Sequence, residues 1–289
     1  MLHFDCDYMA GAHPEVLAAL VENNTVQTAG YGADPFCEHS KALIRQACGA
    51  PDAAVHFLVG GTQTNCTLID ALLRRTDGVL AAETAHINVH ESGAVELNGH
   101  KVLALPSHDG KLCTAEVEAY LRDFYADDTH DHMVAPGMVY ISHPTEYGTL
   151  YTLAELTALS EVCHEYDIPL FLDGARLGYG LMAEGTDVTL ADIARLTDVF
   201  YIGGTKMGAL FGEAVVFAPG KAPKHFYTMT KQHGAMLAKG WLLGLQFYTL
   251  FKDGLYFRVT EGATKLGLQI RDAFHKKGIK SYIESPTNQ

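Results

Sequence analysis

The sequence predicts an α/β protein with a mostly parallel sheet of seven strands. Short apolar runs alternate with segments of helical periodicity, as expected for repeated strand–helix units. Two of these runs, one ending at Asp173 and one just before Lys206, deliver a charged residue at the carboxyl end of a buried strand. The chain has 289 residues, of which 48% are hydrophobic, so it can bury one large core. We therefore expect right-handed crossovers with helices on both faces of the sheet.

Each strand is predicted from a short apolar run bounded by polar or turn-forming residues. These runs cover residues 55–59, 78–82, 101–105, 138–142, 170–172, 199–202 and 214–218. Helices are predicted at 63–75, 114–124, 152–166, 241–251 and 256–274, where apolar residues recur at helical spacing. Thr152 and Glu155 form a capping box, which predicts the start of the third of these helices.

The pattern changes after Lys239, where two long helices replace the strand–helix alternation. We therefore predict a large domain over residues 1–238 and the start of a small domain over 239–289. Four apolar residues of the first late helix, Trp241, Leu242, Leu245 and Phe247, are expected to form an exposed stripe. Because such a stripe is unusual on a monomer, it favours a homo-oligomer.

Composition and charge exclude several classes of function. The formal net charge is −13 with no long basic run, which argues against binding to nucleic acid or to an anionic membrane surface. No apolar run is long enough to span a membrane, and the first residues lack a signal-peptide pattern. The six cysteines contain no Cys-x-x-Cys pair and are interpreted as free thiols of a cytoplasmic protein. No metal site is predicted, although His130 and His132 leave a weak surface site open.

Asp173 and Lys206 are the strongest candidates for catalytic residues. They are separated by roughly 30 residues, the length of one strand–helix–strand unit, so their strand ends should be neighbours facing one cleft. An acid and a lysine in one cleft suggest pyridoxal 5'-phosphate, with the lysine as the attachment point and the acid beside the pyridine nitrogen. A simple ion pair at the edge of the sheet is the alternative.

A third candidate is the turn formed by Gly60, Gly61 and Thr62, between the first predicted strand and its helix. Free backbone N–H groups and the positive end of a helix dipole make this turn suitable for a phosphate. It matches neither the Walker loop nor the dinucleotide fingerprint. His86 follows the 78–82 strand, where it could stack on a flat cofactor or cap the next helix.

Taken together, these residues resemble the threonine aldolases, in particular the low-specificity branch of the beta-eliminating lyase group. The order and spacing of several segments carry this resemblance: Tyr31-Gly32-Ala33-Asp34-Pro35, Gly61-Thr62, Glu83-Thr84-Ala85-His86-Ile87, Thr145-Glu146-Tyr147-Gly148-Thr149, Asp173-Gly174-Ala175-Arg176-Leu177, Gly203-Gly204-Thr205-Lys206 and Glu213-Ala214. The resemblance implies the aspartate-aminotransferase-like fold, fold type I, with pyridoxal 5'-phosphate as cofactor.

The resemblance also assigns roles to individual residues. Lys206 matches the lysine that binds the cofactor, Asp173 the partner of its ring nitrogen, and His86 the histidine stacked on its ring. Gly61 and Thr62, in the turn that begins with Gly60, match phosphate ligands, and Thr205, next to Lys206, matches a further one. Arg176 matches the arginine near the phenolic oxygen and the substrate carboxylate. Tyr31 and Lys239 match residues that reach the active site of a neighbouring subunit.

Three features depart from the family pattern. Cys6-Asp7 stands where many members have a Ser-Asp pair that contacts the substrate, and a thiol is a poor hydrogen-bond donor. Glu146 occupies the position of a histidine in another branch, so a preference between threonine and allo-threonine cannot be transferred. The sequence ends at Gln289, short of the usual family end, so we expect an incomplete C-terminal α+β domain.

The reaction implied is cleavage of threonine or allo-threonine to glycine and an aldehyde, by a homodimer or homotetramer acting on a small amino acid. His86, or a water that it positions, is the expected base, with Glu146 as the alternative. A β-eliminating lyase or racemase using the same cofactor is the first alternative function. A non-catalytic scaffold of the same fold is the second.

Overall fold

The computed structural model describes residues 3–289; Met1 and Leu2, at the start of the predicted large domain, lie outside the described residues. Within this range one sheet contains all seven predicted strands, each within a few residues of its expected bounds. In chain order they are β1 (Ala54–Leu58), β2 (Asp77–Ala82), β3 (Lys101–Leu105), β4 (Ala135–Ser142), β5 (Leu170–Asp173), β6 (Val199–Gly203) and β7 (Glu213–Phe217).

The helices of the described residues include all five predicted ones. They are α1 (Pro14–Glu22), α2 (Pro35–Ala47), α3 (Gly61–Leu72), α4 (His86–Val89), α5 (Ala94–Leu97), α6 (Thr114–Ala126), α7 (Leu153–Glu165), α8 (Leu177–Leu181), α9 (Leu190–Leu196), α10 (Phe226–Gln232), α11 (Trp241–Lys252) and α12 (Leu255–His275). The capping box at Thr152 and Glu155 is confirmed at the start of α7. A second capping box, formed by Thr189 and Asp192, starts α9.

The strand order in the sheet is β1-β7-β6-β5-β4-β2-β3. Neighbouring strands from β6 to β3 run parallel, whereas β7 is antiparallel to both of its neighbours, β1 and β6. The prediction of a mostly parallel sheet is therefore confirmed. Strands β5 and β6 lie side by side, so the polar residues that follow them emerge at the same edge.

The central strands are buried on both faces. Every residue of β5, β6 and β7 is buried, and large aromatic side chains, including Tyr140, Phe171 and Tyr201, fill the space beside them. Such strands have no solvent face, which explains why their sequences are continuous apolar runs without alternation.

The late helix α11 belongs to the same core. It packs against α2, α1 and α12, and Leu245 and Phe247 are buried. The expectation of an exposed stripe is therefore wrong for Leu245 and Phe247, and the Phe247 ring stacks on Phe57 of β1 within the same chain, whereas Trp241 and Leu242 are half-buried. The division of the chain between residues 238 and 239 stays a prediction. No helix within residues 3–289 is long and apolar enough to cross a membrane.

Candidate active site

Glycines hold the carboxyl ends of β5 and β6 close together. A Cβ on Gly174 would lie 1.9 Å from the backbone oxygen of Tyr201, and a Cβ on Gly203 would lie 2.5 Å from that of Ala175. No larger residue fits at either position without moving the backbone. The Gly203 N–H donates to the Gly174 oxygen at 2.9 Å, which fixes the two strand ends against each other. Asp173 and Lys206 thereby reach the same space.

That space is a cavity of about 300 Å³ at this edge of the sheet. Seven of the predicted site residues line it: Gly61, Thr62, His86, Glu146, Asp173, Arg176 and Lys206. An outer cleft of about 650 Å³ shares His86, Glu146, Arg176 and Lys206, and Cys6 and Asp7 line it as well. The structure therefore gathers most of the predicted site in one place.

Asp173 is almost fully buried and accepts four hydrogen bonds. The Tyr140 hydroxyl at 2.6 Å and the Asn65 amide at 2.9 Å donate to Oδ2. The Tyr201 hydroxyl at 2.5 Å and the Ala175 N–H at 2.9 Å donate to Oδ1. Burial raises the pKa of both tyrosines well above 10, so both remain hydrogen-bond donors. A buried carboxylate needs such donors to remain charged.

Lys206 is partly buried, with the positive charge of Arg176 and the negative charges of Asp7 and Asp173 nearby. Burial, followed by the positive charge of Arg176, lowers the pKa of its amine below the ordinary value of 10.5, although Asp7 and Asp173 oppose this shift. A lysine with a lowered pKa has more of the neutral amine available as a nucleophile. Its Nζ lies 6.0 Å from the centroid of the Tyr8 ring, and Tyr8 lines both this cavity and the outer cleft.

His86 begins α4 at the wall of the cavity, and its backbone N–H donates to Glu146 Oε1 at 2.9 Å. Its ring Nδ1 lies 2.7 Å from Glu91 Oε1. This hydrogen bond raises the pKa of His86, and burial only partly offsets it. Glu146 also accepts a hydrogen bond from Ser142 at 2.6 Å, and burial raises the pKa of its carboxyl above the ordinary value.

Arg176 forms an ion pair with Asp7 at two points. Its Nε lies 2.6 Å from Asp7 Oδ2, and its Nη2 lies 3.1 Å from Oδ1. Burial lowers the pKa of the guanidinium, but the hydrogen bond to Asp7 and the surrounding carboxylates outweigh burial and raise this pKa above its ordinary value. The Nη1 edge of Arg176 makes no hydrogen bond to the described residues and is available for an anion.

The start of α3 provides an anion site at the same cavity. Gly60 is the N-cap and offers no side chain, and the N–H groups of Gly61 and Thr62 have no hydrogen-bond partner within the described residues. A Cβ on Gly60 would meet open space, so the helix end is accessible. Unpaired N–H groups at the positive end of a helix dipole match a phosphate group. Together with Asp173 and Lys206, these donors fit pyridoxal 5'-phosphate.

The Thr205 hydroxyl makes its hydrogen bonds with residues between β6 and the start of β7. Its hydroxyl lies 2.9 Å from Glu213 Oε1 and accepts the Gly212 N–H at 3.1 Å. Glu213 Oε2 accepts the Gly204 N–H at 3.0 Å. Burial raises the pKa of Glu213 to about 8. Thr205 does not line the cavity, and its role as a phosphate ligand stays a prediction.

Tyr31 and Lys239 lie away from this cavity in the same chain. Tyr31 lines a separate cavity of about 260 Å³ and is 45% exposed. Its backbone has a φ of 59°, a conformation that residues other than glycine rarely adopt. The Nζ of Lys231 lies 4.4 Å from its ring centroid. Lys239 does not line the 300 Å³ cavity either. Neither residue completes the site of its own chain.

Sequence reasoning missed several residues that contact the predicted ones, among them Asn65, Glu91, Tyr140, Ser142 and Tyr201. Tyr140 and Tyr201 are polar residues within otherwise apolar strands, and this is the signal that could have identified them. Asn65 lies one helical turn after Gly61, on the face of α3 that points toward the sheet. Within residues 3–289 no group of three or more His, Cys, Asp and Glu side chains is arranged to hold a metal ion.

Comparisons with known proteins agree with this arrangement. A family profile described as beta-eliminating lyase matches residues 4–273. The low specificity L-threonine aldolase of Pseudomonas aeruginosa is 31% identical over 91% of this chain and 75% of its own length. A threonine aldolase structure from Leishmania major has 44% identity and a TM-score of 0.94, covering 97% of this chain and 81% of that one. The aspartate aminotransferase of Thermus thermophilus shares the fold at 16% identity, with a TM-score of 0.71 over 94% of this chain and 71% of that one.

Proposed function

Because this chain belongs to the beta-eliminating lyase family, we propose that it cleaves a β-hydroxy-α-amino acid, threonine or allo-threonine, to glycine and an aldehyde. The chain is then a carbon–carbon lyase with pyridoxal 5'-phosphate as its cofactor. One observation carries this proposal: Lys206, Asp173, His86 and the free N–H groups of Gly61 and Thr62 share one cavity. Lysine, acid and anion site are the three groups that this cofactor requires.

Several residues are proposed to hold the cofactor. The N–H groups of Gly61 and Thr62, at the turn that begins with Gly60, bind its phosphate, with Thr205 as a further ligand. Asp173 faces the ring nitrogen, and the four groups that donate hydrogen bonds to its carboxyl hold it in place for that task. When bound, pyridoxal 5'-phosphate provides a covalent attachment for the substrate amino group and accepts the electrons released by bond cleavage.

The remaining residues are proposed to handle the substrate. The free edge of Arg176 binds the substrate carboxylate, while Asp7, with Cys6 beside it in the outer cleft, keeps the guanidinium in place. His86, or a water that it positions, removes the proton of the β-hydroxyl group. Glu146 is the alternative base, because its raised pKa brings its carboxyl closer to neutral pH.

The active form is proposed to be a homodimer or homotetramer, in which Tyr31 and Lys239 complete the neighbour's site. Their position outside the cavity of their own chain supports this arrangement. The strained backbone of Tyr31 supports it further, because such strain often accompanies function. A cytoplasmic location is proposed as well, since the six cysteines are all free thiols. The small C-terminal domain after residue 238 remains part of the proposal.

Product analysis tests the function. Purified protein loaded with the cofactor should release glycine and acetaldehyde from L-threonine or L-allo-threonine, detected by mass spectrometry and a coupled aldehyde assay. The Lys206→Ala variant is the matched control and should release neither product. L-Serine and L-alanine separate the alternatives, because β-elimination of serine gives pyruvate and racemisation of alanine gives the D-enantiomer. Pyruvate or a D-amino acid without glycine would overturn the aldolase assignment.

A further inference from the structure

Glu91 is a buried carboxylate that the roles described above do not use. It follows α4 by two residues, and its side chain is fully buried. One oxygen, Oε1, lies 2.7 Å from His86 Nδ1 and accepts the Asn65 amide at 2.8 Å. The other oxygen, Oε2, has no partner within the described residues. Burying a carboxylate without an arginine or lysine partner costs folding free energy, so a buried glutamate at this position is expected to have a function.

Asn65 joins Glu91 to the carboxylate beside the proposed cofactor. The single amide nitrogen of Asn65 donates to Glu91 Oε1 at 2.8 Å and to Asp173 Oδ2 at 2.9 Å. Asn65 is fully buried, and its own oxygen has no partner within residues 3–289. Two carboxylates that share an amide nitrogen are electrostatically coupled, because the negative charge of each one makes ionisation of the other less favourable.

The bond to Glu91 also fixes which nitrogen of His86 can react. An ionised carboxylate only accepts hydrogen bonds, so His86 Nδ1 carries a proton and donates it to Glu91. The opposite nitrogen, Nε2, makes no hydrogen bond to the described residues and belongs to a ring that lines the cavity. Histidine ligands and bases are commonly oriented by a carboxylate in this way.

We propose that Glu91 and Asn65 form a buried relay that positions His86, with Glu91 holding Nδ1 protonated so that Nε2 is the nitrogen that exchanges a proton with the substrate. The charge of Glu91 stabilises the imidazolium that forms when Nε2 takes up a proton. Asn65 links this charge to Asp173, so that the proton affinity of His86 depends on the charges around the cofactor. Glu91 and Asn65 are positioning residues, and this inference rests on the proposed function for the substrate that His86 meets.

Other charges around His86 must be included in any test. The pKa of His86 is raised by the bond to Glu91 and by the charge of Asp173, while Lys206 lowers it. Glu146 accepts the backbone N–H of His86, and the His90 ring lies 5.6 Å from the His86 ring. These are the titratable groups facing His86: Glu91, His90, Glu146, Asp173 and Lys206. A useful variant must change Glu91 while leaving the others in place.

Glu91→Gln is such a variant. Both hydrogen bonds end on Oε1, so the glutamine oxygen can accept them both, and the amide nitrogen takes the position of the unpaired Oε2. The variant removes the charge and keeps the contacts. With the enzyme carrying its cofactor, the pH at which His86 titrates is measured by NMR of ¹⁵N-labelled histidine, with His86→Gln used to assign the signal. The pH profile of kcat is measured alongside.

In Glu91→Gln the pKa of His86 should fall by about one pH unit or more. The kcat should fall by about 100-fold, the scale of a general acid–base contribution, with KM changed far less. Glu91→Asp retains the charge and should recover part of both effects. Asn65→Ala should act in the opposite direction, raising the pKa of His86, because Glu91 is left with the imidazolium as its remaining partner.

The exposed Glu96→Gln, on the neighbouring helix α5, is the matched control and should leave the pKa of His86 unchanged. Loss of activity in Glu91→Gln with an unchanged His86 titration would mean that Glu91 is only structural, and the relay would be overturned. If Glu91→Gln does not fold, the Asn65→Ala and Glu91→Asp titrations decide the question. The titration of His86 is measured without turnover, so a failure of the aldolase assignment would be recognised separately.

Discussion

The Arg176 guanidinium is held at two points by the Asp7 carboxylate, with Nε 2.6 Å from Oδ2 and Nη2 3.1 Å from Oδ1. The two residues are 169 positions apart in the sequence, so the N-terminal segment must fold across the cavity to make this contact. Both side chains are about one-fifth exposed, at 22% for Arg176 and 18% for Asp7. The pair fixes the direction in which the free edge of Arg176 points.

Asp7→Asn should therefore weaken binding of the amino acid. The neutral amide cannot hold the guanidinium at both points, so Arg176 loses its orientation toward the substrate carboxylate. We expect KM for threonine to rise about tenfold, with a smaller change in kcat. Steady-state kinetics would test this, with the exposed Glu15→Gln as the control variant. An unchanged KM would show that Asp7 does not position Arg176.

Lys206 should be the only lysine that carries the cofactor. It lines the cavity, and its lowered pKa leaves more neutral amine than an ordinary lysine would have. Borohydride reduction of the loaded protein, followed by peptide mapping, should place the cofactor mass on Lys206. Lys231 and Lys239 serve as internal controls outside the cavity. A label on either of them would contradict the assignment.

Asp173→Asn should reduce turnover more than cofactor binding. The amide removes the charge that faces the ring nitrogen, and we expect kcat to fall by about 100-fold or more. The variant should also unfold more easily, by about 1–3 kcal/mol, because the amide nitrogen would face two of the four groups that donate hydrogen bonds to Asp173. Tyr201→Phe, which removes one donor but keeps the carboxylate, should retain far more of the turnover. Equal losses in the two variants would contradict a special role for the charge.

The stability of the folded protein should depend on the ionisation of Glu213. Its pKa is about 8 in the folded state because burial raises it from 4.5. Between these two pH values the unfolded chain is ionised while the folded chain keeps the proton. Unfolding therefore releases a proton, and the stabilising contribution is lost as the pH rises toward 8.

Glu213→Gln should remove this dependence. Its amide oxygen can accept the Gly204 N–H, and its amide nitrogen replaces the oxygen that accepts from the Thr205 hydroxyl, so this hydroxyl must turn to become the acceptor. The difference in melting temperature between this variant and the original protein should grow from pH 5 to pH 8, in favour of the variant, and stay constant above. Melting curves with a constant offset over this range would show that Glu213 does not titrate as expected.

Tyr31 should act at the site of a neighbouring subunit. The variants Tyr31→Phe and Lys206→Ala, each first assayed alone to establish that it is inactive, are mixed and allowed to exchange subunits. If each site takes Tyr31 from one subunit and Lys206 from the other, both defects can fall on one site, and the other site becomes active. Activity should recover in part, while light scattering reports an oligomer. Demonstrated exchange without recovery, or an active monomer, would exclude the shared site.

Local sequence features determined the elements of this protein. The apolar runs set the seven strands to within a few residues, because a strand buried on both faces needs an unbroken apolar sequence. The capping box of α7 and the pairing of β5 with β6 follow from residues close together in the chain. The helices α1 and α2 were not predicted, since their apolar faces are defined by packing against α11, far along the chain.

Only the tertiary structure decided which side chains meet. The antiparallel pairing of β7 with β1 joins distant segments of the chain. The same holds for the contacts of Asp7 with Arg176 and of Asn65 with Asp173, which are 169 and 108 positions apart. The sequence could identify Lys206, Asp173 and His86 as reactive groups by their places after strands. It could not identify Glu91 as the partner of His86, because a hydrogen bond inside a buried network depends on the packing of separate elements and leaves no periodic signal.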